Sequence, residues 1–215
     1  MSTAVRGALM SVRTWVIVGL GDSTTAGTPG FRSPLEAPPN GHGNPESQYA
    51  HWMMKAHPDW IVLNRGIDGQ TAAEIRGRFA RDVLSAKPAY VILLAGVNDI
   101  FGGSEAESVQ RELARMYADA LDAGIVPVAA TVLPYDRATP RATAAIFTLN
   151  TWIESFAKVL DIPFADTHAA VAAPEAPHRL RSSPDGLHPD VDGYRRMGDA
   201  LTRAIEAHLL RHASR

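Results

Sequence analysis

The sequence predicts a three-layer α/β/α sandwich built around a parallel sheet of five strands, and two observations lead to this prediction. Short apolar runs recur along the chain, and segments with helical periodicity separate them. Strand and helix therefore alternate strictly, which requires right-handed crossovers and a parallel sheet covered by helices on both faces. No internal repeat or second core is evident, so we expect a tail at 1–13 followed by a single domain at 14–215.

The five apolar runs are bounded by polar or small residues, as buried parallel strands are. They lie at Trp15–Gly19, Trp60–Asn64, Tyr90–Ala95, Ile125–Val132 and Ile162–Ala165. A flavodoxin-like strand order, 2-1-3-4-5, is the natural arrangement for this alternation. Such a sheet exposes its loops at the carboxyl ends of the strands, where ligands bind.

Helical segments fill the intervals between the runs. The first covers 49–56, and capping boxes at Thr71–Glu74 and Ser104–Glu107 predict the starts of the next two. Further apolar periodicity covers 146–160, and a last helix begins near Val191. The helix after Ser104 carries an apolar stripe that is predicted to face the core: Val109, Leu113, Met116, Tyr117, Ala120 and Leu121.

Composition excludes several classes of function. The 215 residues carry a formal net charge of -2 without a block of like charges, so no nucleic-acid partner is expected. The chain contains no cysteine, which rules out disulfides, thiolate catalysis and cysteine-ligated zinc. The histidines 42, 51, 57, 168 and 178 match no metal-ligand spacing, and no metal site is expected. The sequence does not indicate an oligomeric state.

The first residues show no targeting pattern. The only good apolar run near the start is the predicted first strand, and no small-residue cleavage site precedes it. No stretch approaches the length of a membrane span. We therefore expect a cytoplasmic protein without membrane insertion, although a leader removed before cloning would leave the same sequence.

Four predicted strand ends or loops carry chemically distinctive groups. Ser23 follows the first strand, Gly69 lies in the turn after the second, and Asn98 follows the third. Asp185 and His188 lie in a loop just before the final helix. Acyl transfer by a serine needs a base, a group that orients the base, and donors for the oxyanion. His188 and Asp185 can supply the first two, and the N–H groups of Ser23 and Gly69 and the Asn98 amide can supply the donors.

These residues resemble the conserved blocks of the SGNH (GDSL-type) hydrolase family. The matching blocks occur in the expected order: Gly21-Asp22-Ser23, Gly69, Gly96-Val97-Asn98-Asp99 and Asp185-Gly186-Leu187-His188-Pro189. The resemblance implies a serine esterase or lipase-like enzyme that needs no cofactor. It also implies that Ser23, Asp185 and His188 form the catalytic triad. Ser23, Gly69 and Asn98 would then form the oxyanion hole. The family's fold is the α/β/α sandwich already predicted.

The sequence departs from the family's pattern at one position, and one block allows two alternatives. Thr24 replaces the leucine of the GDSL motif, a position that varies. Gly66 and Gly69 both fit a glycine-rich turn, and Gly69 is preferred because it lies two residues before Thr71, where the family's glycine lies relative to its helix. Asp22 and Asp99 are interpreted as residues that brace the loops of the site rather than as catalytic acids.

Aromatic and basic loop residues are candidates for substrate contacts, namely Phe31, Arg32, Phe101 and Tyr135. The long segment 28–45 either shapes the site or is a simple insertion. We expect hydrolysis of carboxylic esters with short acyl groups. A long acyl chain needs an extended apolar wall, and the polar, proline-rich loops offer none. A carbohydrate O-acetyl esterase, a thioesterase or a lysophospholipase is an alternative, and a flavodoxin-like ligand-binding module is the non-enzymatic one.

Overall fold

The computed structural model describes residues 14–27 and 44–213, and a five-stranded sheet forms its centre. All pairs in this sheet are parallel, and the order β2-β1-β3-β4-β5 confirms the predicted fold and topology. The strands are β1 (Trp15–Gly21), β2 (Trp60–Gly66), β3 (Tyr90–Leu94), β4 (Val126–Ala130) and β5 (Phe164–Ala165).

Helices connect the strands and cover the sheet. In the described part of the chain they are α1 (Ser23–Ala26), α2 (Tyr49–Ala56), α3 (Ala72–Gly77), α4 (Phe79–Asp82), α5 (Val97–Phe101), α6 (Ala106–Asp122), α7 (Pro140–Leu160), α8 (Thr167–Val171) and α9 (Val191–Ala213). Apolar residues of α3, α4, α6 and α7 form one core layer. Residues of α2, α8 and α9 form the other.

Strand β3 shows why a continuous apolar run is needed at the centre of the sheet. Tyr90, Ile92 and Leu94 contribute to the layer under α2 and α9. Val91 and Leu93 contribute to the opposite layer. Because successive side chains of a strand point to opposite faces, a strand covered on both sides must be apolar at every position.

The capping box at Thr71–Glu74 is confirmed, whereas the one predicted at Ser104–Glu107 is wrong. The Thr71 side chain accepts a hydrogen bond from the Glu74 N–H, and the Glu74 carboxylate accepts one from the Thr71 N–H. In the second case α6 begins two residues after Ser104, and its N-cap Glu105 makes no side-chain cap bond. A Ser-x-x-Glu pattern predicts a cap only if the helix starts in that register.

The stripe on α6 is confirmed apart from its last member. Leu121 is 41% exposed, whereas Val109, Met116, Tyr117 and Ala120 are fully buried. At about 100° per residue, Leu121 lies further around the helix than any residue of the stripe, so its side chain turns towards solvent.

A short antiparallel hairpin lies within the segment predicted as a loop before the final helix. It consists of β6 (Ala172–Ala173) and β7 (Ala176–Leu180). Three of the five residues of β7 are exposed, and one of them is Pro177. Such a strand has neither the apolar run nor the clear alternation by which a strand is recognised in sequence.

The predicted tail at 1–13 lies outside the described residues. So does most of the segment 28–45, including the candidate contacts Phe31 and Arg32. None of the helices in the described part of the chain combines the length and apolar character that a membrane span requires.

Candidate active site

Ser23 is the first residue of α1 and follows β1 after a single intervening residue. That residue, Asp22, caps the helix, because its Oδ1 accepts a hydrogen bond of 2.9 Å from the Thr24 N–H. The N–H groups in the first turn of a helix have no partner within the helix. The Ser23 N–H is one of these groups, and it lies beside the serine's own side chain. Asp22 therefore braces the loop, as the sequence predicted.

The helix that begins with Ser23 lies unusually close to the end of β2. A Cβ atom added to Gly66 would lie 2.0 Å from the Ala26 nitrogen and 2.7 Å from the Asp22 carbonyl oxygen. Only glycine allows this approach. The Asn64 amide adds a hydrogen bond of 3.0 Å to the Ala26 carbonyl oxygen. Gly66 is therefore a packing residue, which leaves Gly69 as the candidate oxyanion glycine.

His188 connects Ser23 to Asp185 through both nitrogens of its ring. Its Nε2 lies 2.8 Å from the Ser23 Oγ, and its Nδ1 lies 2.7 Å from the Asp185 Oδ2. An ionised carboxylate only accepts hydrogen bonds, so the Nδ1 carries the hydrogen of a neutral ring. The lone pair of Nε2 then faces the hydroxyl of Ser23. This arrangement can take a proton from the serine hydroxyl.

The turn that carries Asp185 and His188 is held by its own hydrogen bonds. The Asp185 Oδ1 accepts bonds of 2.8 Å from the backbone N–H groups of Leu187 and His188. The Ser183 hydroxyl donates to the His188 carbonyl oxygen at 2.6 Å, and it accepts from the Gly186 N–H at 2.7 Å. Ser183 was not singled out from the sequence, because a serine in a loop carries no specific signal.

Asp136 anchors this turn to the segment that follows β4. Its N–H donates to the Gly186 carbonyl oxygen at 2.8 Å, and its Oδ1 accepts from the Leu180 N–H at 3.0 Å. Asp136 thus connects the turn between Asp185 and His188 with the end of β7. Sequence reasoning missed Asp136, since its partners are 44 and more residues away along the chain.

The carboxylate of Asp185 is held in its ionised form. Burial raises the pKa of Asp185. Hydrogen bonds from the His188 ring and from the His188 and Leu187 backbone outweigh this effect, and they lower the pKa to about 2. Hydrogen bonds to the charged form of a carboxyl group favour that form. Asp185 can therefore orient His188 and stabilise positive charge on its ring over the whole range of neutral pH.

Two further carboxyl groups near the site have raised pKa values. Burial raises the pKa of Asp22 to about 6, although the hydrogen bonds to Thr24 act in the opposite direction. Burial also raises the pKa of Asp99, whose Oδ2 accepts a bond of 2.9 Å from the Ala72 N–H. Asp99 thereby fixes the start of α3 to α5, a bracing role that the sequence predicted for it.

Two candidate oxyanion donors besides Ser23 lie near the ends of β2 and β3. Asn98 lies on α5, and its Nδ2 donates to the Gln70 carbonyl oxygen at 2.9 Å. A side-chain amide has two N–H donors, so one remains for another acceptor. Gly69 has a φ of +74°, and a Cβ atom added there would meet no atom within 4 Å among the described residues. The backbone at Gly69 is therefore open to an approaching group.

A cleft of about 310 Å³ is lined by residues between Ile100 and Ser104, which follow Asn98 along the chain, and by residues between Tyr135 and Ala145. Phe101 of α5 and Tyr135 line it, with ring centroids 5.9 Å apart. Phe101 is 68% exposed, whereas Tyr135 is buried. Arg137 and Arg141 also line the cleft. Of the four predicted substrate contacts, these two aromatic residues fall within the described part of the chain.

Of the histidines that match no metal-ligand spacing, His42 lies outside the described residues. Across residues 14–27 and 44–213, no group of three or more histidine, aspartate or glutamate side chains could hold a metal ion. His168 is instead a buried structural residue, with its Nε2 2.8 Å from the Pro177 carbonyl oxygen. His57 stacks on the Trp60 ring at 4.0 Å and pairs with Glu206.

Residues 20–196 match the family model of the GDSL-like lipase/acylhydrolases, a span that includes every residue of the site described above. The chain belongs to this family. The GDSL-like hydrolases share the α/β/α sandwich found here, and the resemblance inferred from the four sequence blocks is confirmed. Family membership supports a hydrolase with a small-molecule substrate.

Individual relatives of this GDSL-family chain agree with the assignment. A solved structure from Desulfitobacterium hafniense, described as a lipolytic protein of the G-D-S-L family, superposes with a TM-score of 0.71 at 26% identity. That alignment covers 88% of this chain and 98% of the other.

Two curated proteins also match parts of the sequence. The lipoprotein YqeF of Bacillus subtilis is 37% identical over 113 residues, which is 43% of this chain and 46% of YqeF. An acetylxylan esterase of Geobacillus stearothermophilus is 38% identical over 40 residues, which is 19% of this chain and 18% of that protein. The chain thus spans less than half the length of either curated relative.

Proposed function

We propose that the protein is a serine esterase that hydrolyses carboxylic esters with short acyl groups. The observation that carries the proposal is the continuous relay from the Ser23 Oγ through the His188 ring to the Asp185 carboxylate, with contacts of 2.8 Å and 2.7 Å. These contacts match the roles of nucleophile, base and orienting acid in acyl transfer. Family membership supports the same reaction class.

The proposed reaction proceeds through an acyl-enzyme. The Ser23 Oγ attacks the ester carbonyl carbon while its proton passes to the His188 Nε2. The tetrahedral intermediate collapses, the alcohol leaves with the proton from Nε2, and the acyl group remains on Ser23. A water molecule then gives a proton to His188 and attacks the acyl carbon, which releases the acid and restores the Ser23 hydroxyl. Asp185 stabilises the imidazolium in both halves of the reaction.

In this proposal the negative oxygen of each intermediate is bound by three donors. They are the N–H groups of Ser23 and Gly69 and the free N–H of the Asn98 amide. The open surroundings of Gly69 and the spare donor on Asn98 support these roles. Donors held in place before the reaction cost no reorganisation when charge develops.

The alcohol or acyl part of the substrate would lie in the cleft between Phe101 and Tyr135. This cleft lies between α5, which carries Asn98, and the segment that Asp136 bonds to Gly186. Both walls thus adjoin proposed catalytic elements. The two remaining predicted contacts, Phe31 and Arg32, lie outside the described residues.

A carbohydrate O-acetyl esterase is the second candidate. The partial match to an acetylxylan esterase favours it. The exposed ring of Phe101 beside the cleft also favours it, because an apolar face suits the C–H face of a sugar ring. A thioesterase or lysophospholipase remains an alternative within the family, and a ligand-binding module without turnover is the non-enzymatic alternative.

The predicted cytoplasmic location stays a proposal. The relative YqeF is named a lipoprotein, which would place that protein at a membrane, and cell fractionation distinguishes the two locations for this chain.

A series of esters tests the proposal and separates the two candidates. Nitrophenyl esters of increasing acyl length are assayed beside acetylated xylo-oligosaccharides, with the wild type, Ser23→Ala and Asn98→Ala. We expect short acyl esters to be cleaved fastest, no turnover with Ser23→Ala, and turnover lowered about a hundredfold or more with Asn98→Ala. Hydrolysis by Ser23→Ala at the wild-type rate would contradict the proposal.

A further inference from the structure

A buried guanidinium group connects the segments that carry the proposed nucleophile and oxyanion donors. Arg78 lies between α3 and α4, where the helix is interrupted, and only 6% of the residue is exposed. Its side chain points into the protein, where the guanidinium bonds to the Gly21 carbonyl oxygen at the end of β1. An arginine this deeply buried needs an acceptor for nearly every donor it carries.

Arg78 makes four hydrogen bonds to acceptors in separate parts of the chain. Its Nη2 donates to the Gly21 carbonyl oxygen at 2.6 Å, and its Nη1 donates to the Arg65 carbonyl oxygen at 2.7 Å. Its Nε donates to the Gln70 Oε1 at 2.6 Å. The fourth bond, from Nη1 to the Asp82 Oδ2 at 2.7 Å, neutralises the buried charge.

Two of these acceptors lie next to proposed catalytic groups. Gly21 ends β1 two residues before Ser23, and Gln70 directly follows Gly69. Gln70 also accepts the Asn98 amide through its backbone carbonyl oxygen. A chain of hydrogen bonds therefore runs from the end of β1 through Arg78 and Gln70 to Asn98. This chain joins the segment that carries Ser23 to the two other proposed oxyanion donors, Gly69 and Asn98.

The geometry requires arginine rather than another cation. A guanidinium carries five N–H donors in a rigid planar fork, whereas an ammonium group is a point charge on a flexible stem. Burial lowers the pKa of Arg78, and the bond to Asp82 counteracts that effect. Arg81 shares the Asp82 carboxylate at 2.7 Å, but its side chain is 69% exposed.

We propose that Arg78 is a positioning residue, whose guanidinium fixes the distance between the Ser23 nucleophile and the oxyanion donors at Gly69 and Asn98. The proposal rests on the esterase function put forward above. Arg78 touches no reacting atom in this account. It acts on the rate because oxyanion donors stabilise a transition state only at the correct distance, and a small displacement costs much of the effect.

Three variants test this role in the full chain by steady-state hydrolysis of a short-chain nitrophenyl ester, with thermal unfolding measured in parallel. Arg78→Lys keeps a cation beside Asp82 but cannot reach all three remaining acceptors. We expect its kcat to fall about a hundredfold with KM unchanged.

Gln70→Ala leaves the buried charge pair of Arg78 and Asp82 intact and removes only the bond from Arg78 to the turn of Gly69. We therefore expect a smaller loss of kcat in the same direction. Arg81→Gln is the matched control, since Arg81 also pairs with Asp82 but contacts none of the acceptors next to the site, and its kcat should equal the wild-type value.

A folded Arg78→Lys variant with wild-type kcat would overturn the proposal. So would a loss of kcat shared equally by Arg81→Gln, because that result would assign the effect to Asp82. If Arg78→Lys does not fold, Gln70→Ala decides: a lower kcat at unchanged KM supports the proposal, and an unchanged kcat overturns it. A wild-type protein that hydrolyses no ester would contradict the proposed function itself, a result distinct from these.

Discussion

At the scale of single residues, the surroundings of His188 determine which ring nitrogen carries a proton. The carboxylate of Asp185 is three residues away in the sequence and contacts Nδ1 at 2.7 Å. One tight turn is thus enough to build this contact. Because the pairing is local, the spacing Asp-x-x-His could be recognised in the sequence.

The residues that support the turn could not be recognised in the same way. Ser183 bonds to backbone atoms of Gly186 and His188, and Asp136 bonds to Gly186 from a distant loop. Serine and aspartate are common in loops for many reasons, so neither residue type predicts a particular partner. Only the packed structure shows what they contact.

Asp22 should make the stability of the protein depend on pH. Its pKa rises from 3.8 to about 6 on burial, so the folded state binds the proton more tightly than the unfolded state. The wild type should therefore lose stability as the pH rises from about 4 to about 6 and remain less stable above that range. Asparagine does not ionise, yet its side-chain oxygen can still accept the Thr24 N–H. We expect the free energy of unfolding of Asp22→Asn to exceed that of the wild type by about 3 kcal/mol near neutral pH.

Urea unfolding of both proteins at about pH 4 and about pH 7.5 measures this difference. The advantage of Asp22→Asn should appear only at the higher pH. An equal difference between the variant and the wild type at both pH values would show that the ionisation of Asp22 is not its cause.

At the scale of elements, two glycines near the end of β2 should respond differently to the same substitution. Gly66→Ala would drive a methyl group into the backbone of Ala26, and α1 could no longer pack against the end of β2. Gly69 lies in open space with a φ of +74°, where alanine costs only about 1–2 kcal/mol of backbone strain. We expect Gly66→Ala to unfold or lose most of its stability, and Gly69→Ala to fold with reduced esterase activity.

Circular dichroism and ester hydrolysis of the two variants check this pair. Each serves as the control for the other, because the substitutions are chemically identical and three residues apart. A well-folded, fully active Gly66→Ala protein would contradict the packing account. Full activity of Gly69→Ala would argue against an oxyanion role for Gly69.

Elements with strong periodicity were predictable, and those shaped by tertiary contacts were not. The runs that became β1 and β3 are apolar because both faces of the sheet are covered there, and the sequence shows this directly. The hairpin of β6 and β7 has mostly exposed residues and gives no such pattern. Arg78, between α3 and α4, is buried and bonds to distant backbone atoms, whereas an arginine in a helical segment normally indicates a solvent-exposed position.

At the scale of the whole molecule, the parallel sheet brings together groups that are remote in the sequence. Ser23 and His188 are 165 residues apart, yet their side chains meet at 2.8 Å. All five strands run in one direction, so the loops after their carboxyl ends share one edge. The order of the four blocks along the chain was therefore sufficient to predict that they meet. Their distances, and the buried cation that joins them, required the structure.

Covalent labelling with a fluorophosphonate, followed by peptide mass mapping, tests the central claim most directly. Ser23 should carry the phosphonyl group in the wild type, labelling should be lost with Ser23→Ala, and it should slow strongly with His188→Ala. Ser183, the other serine that contacts this turn, should remain unmodified. No adduct, an adduct on Ser183, or labelling that does not depend on His188 would contradict the relay from Ser23 through His188 to Asp185.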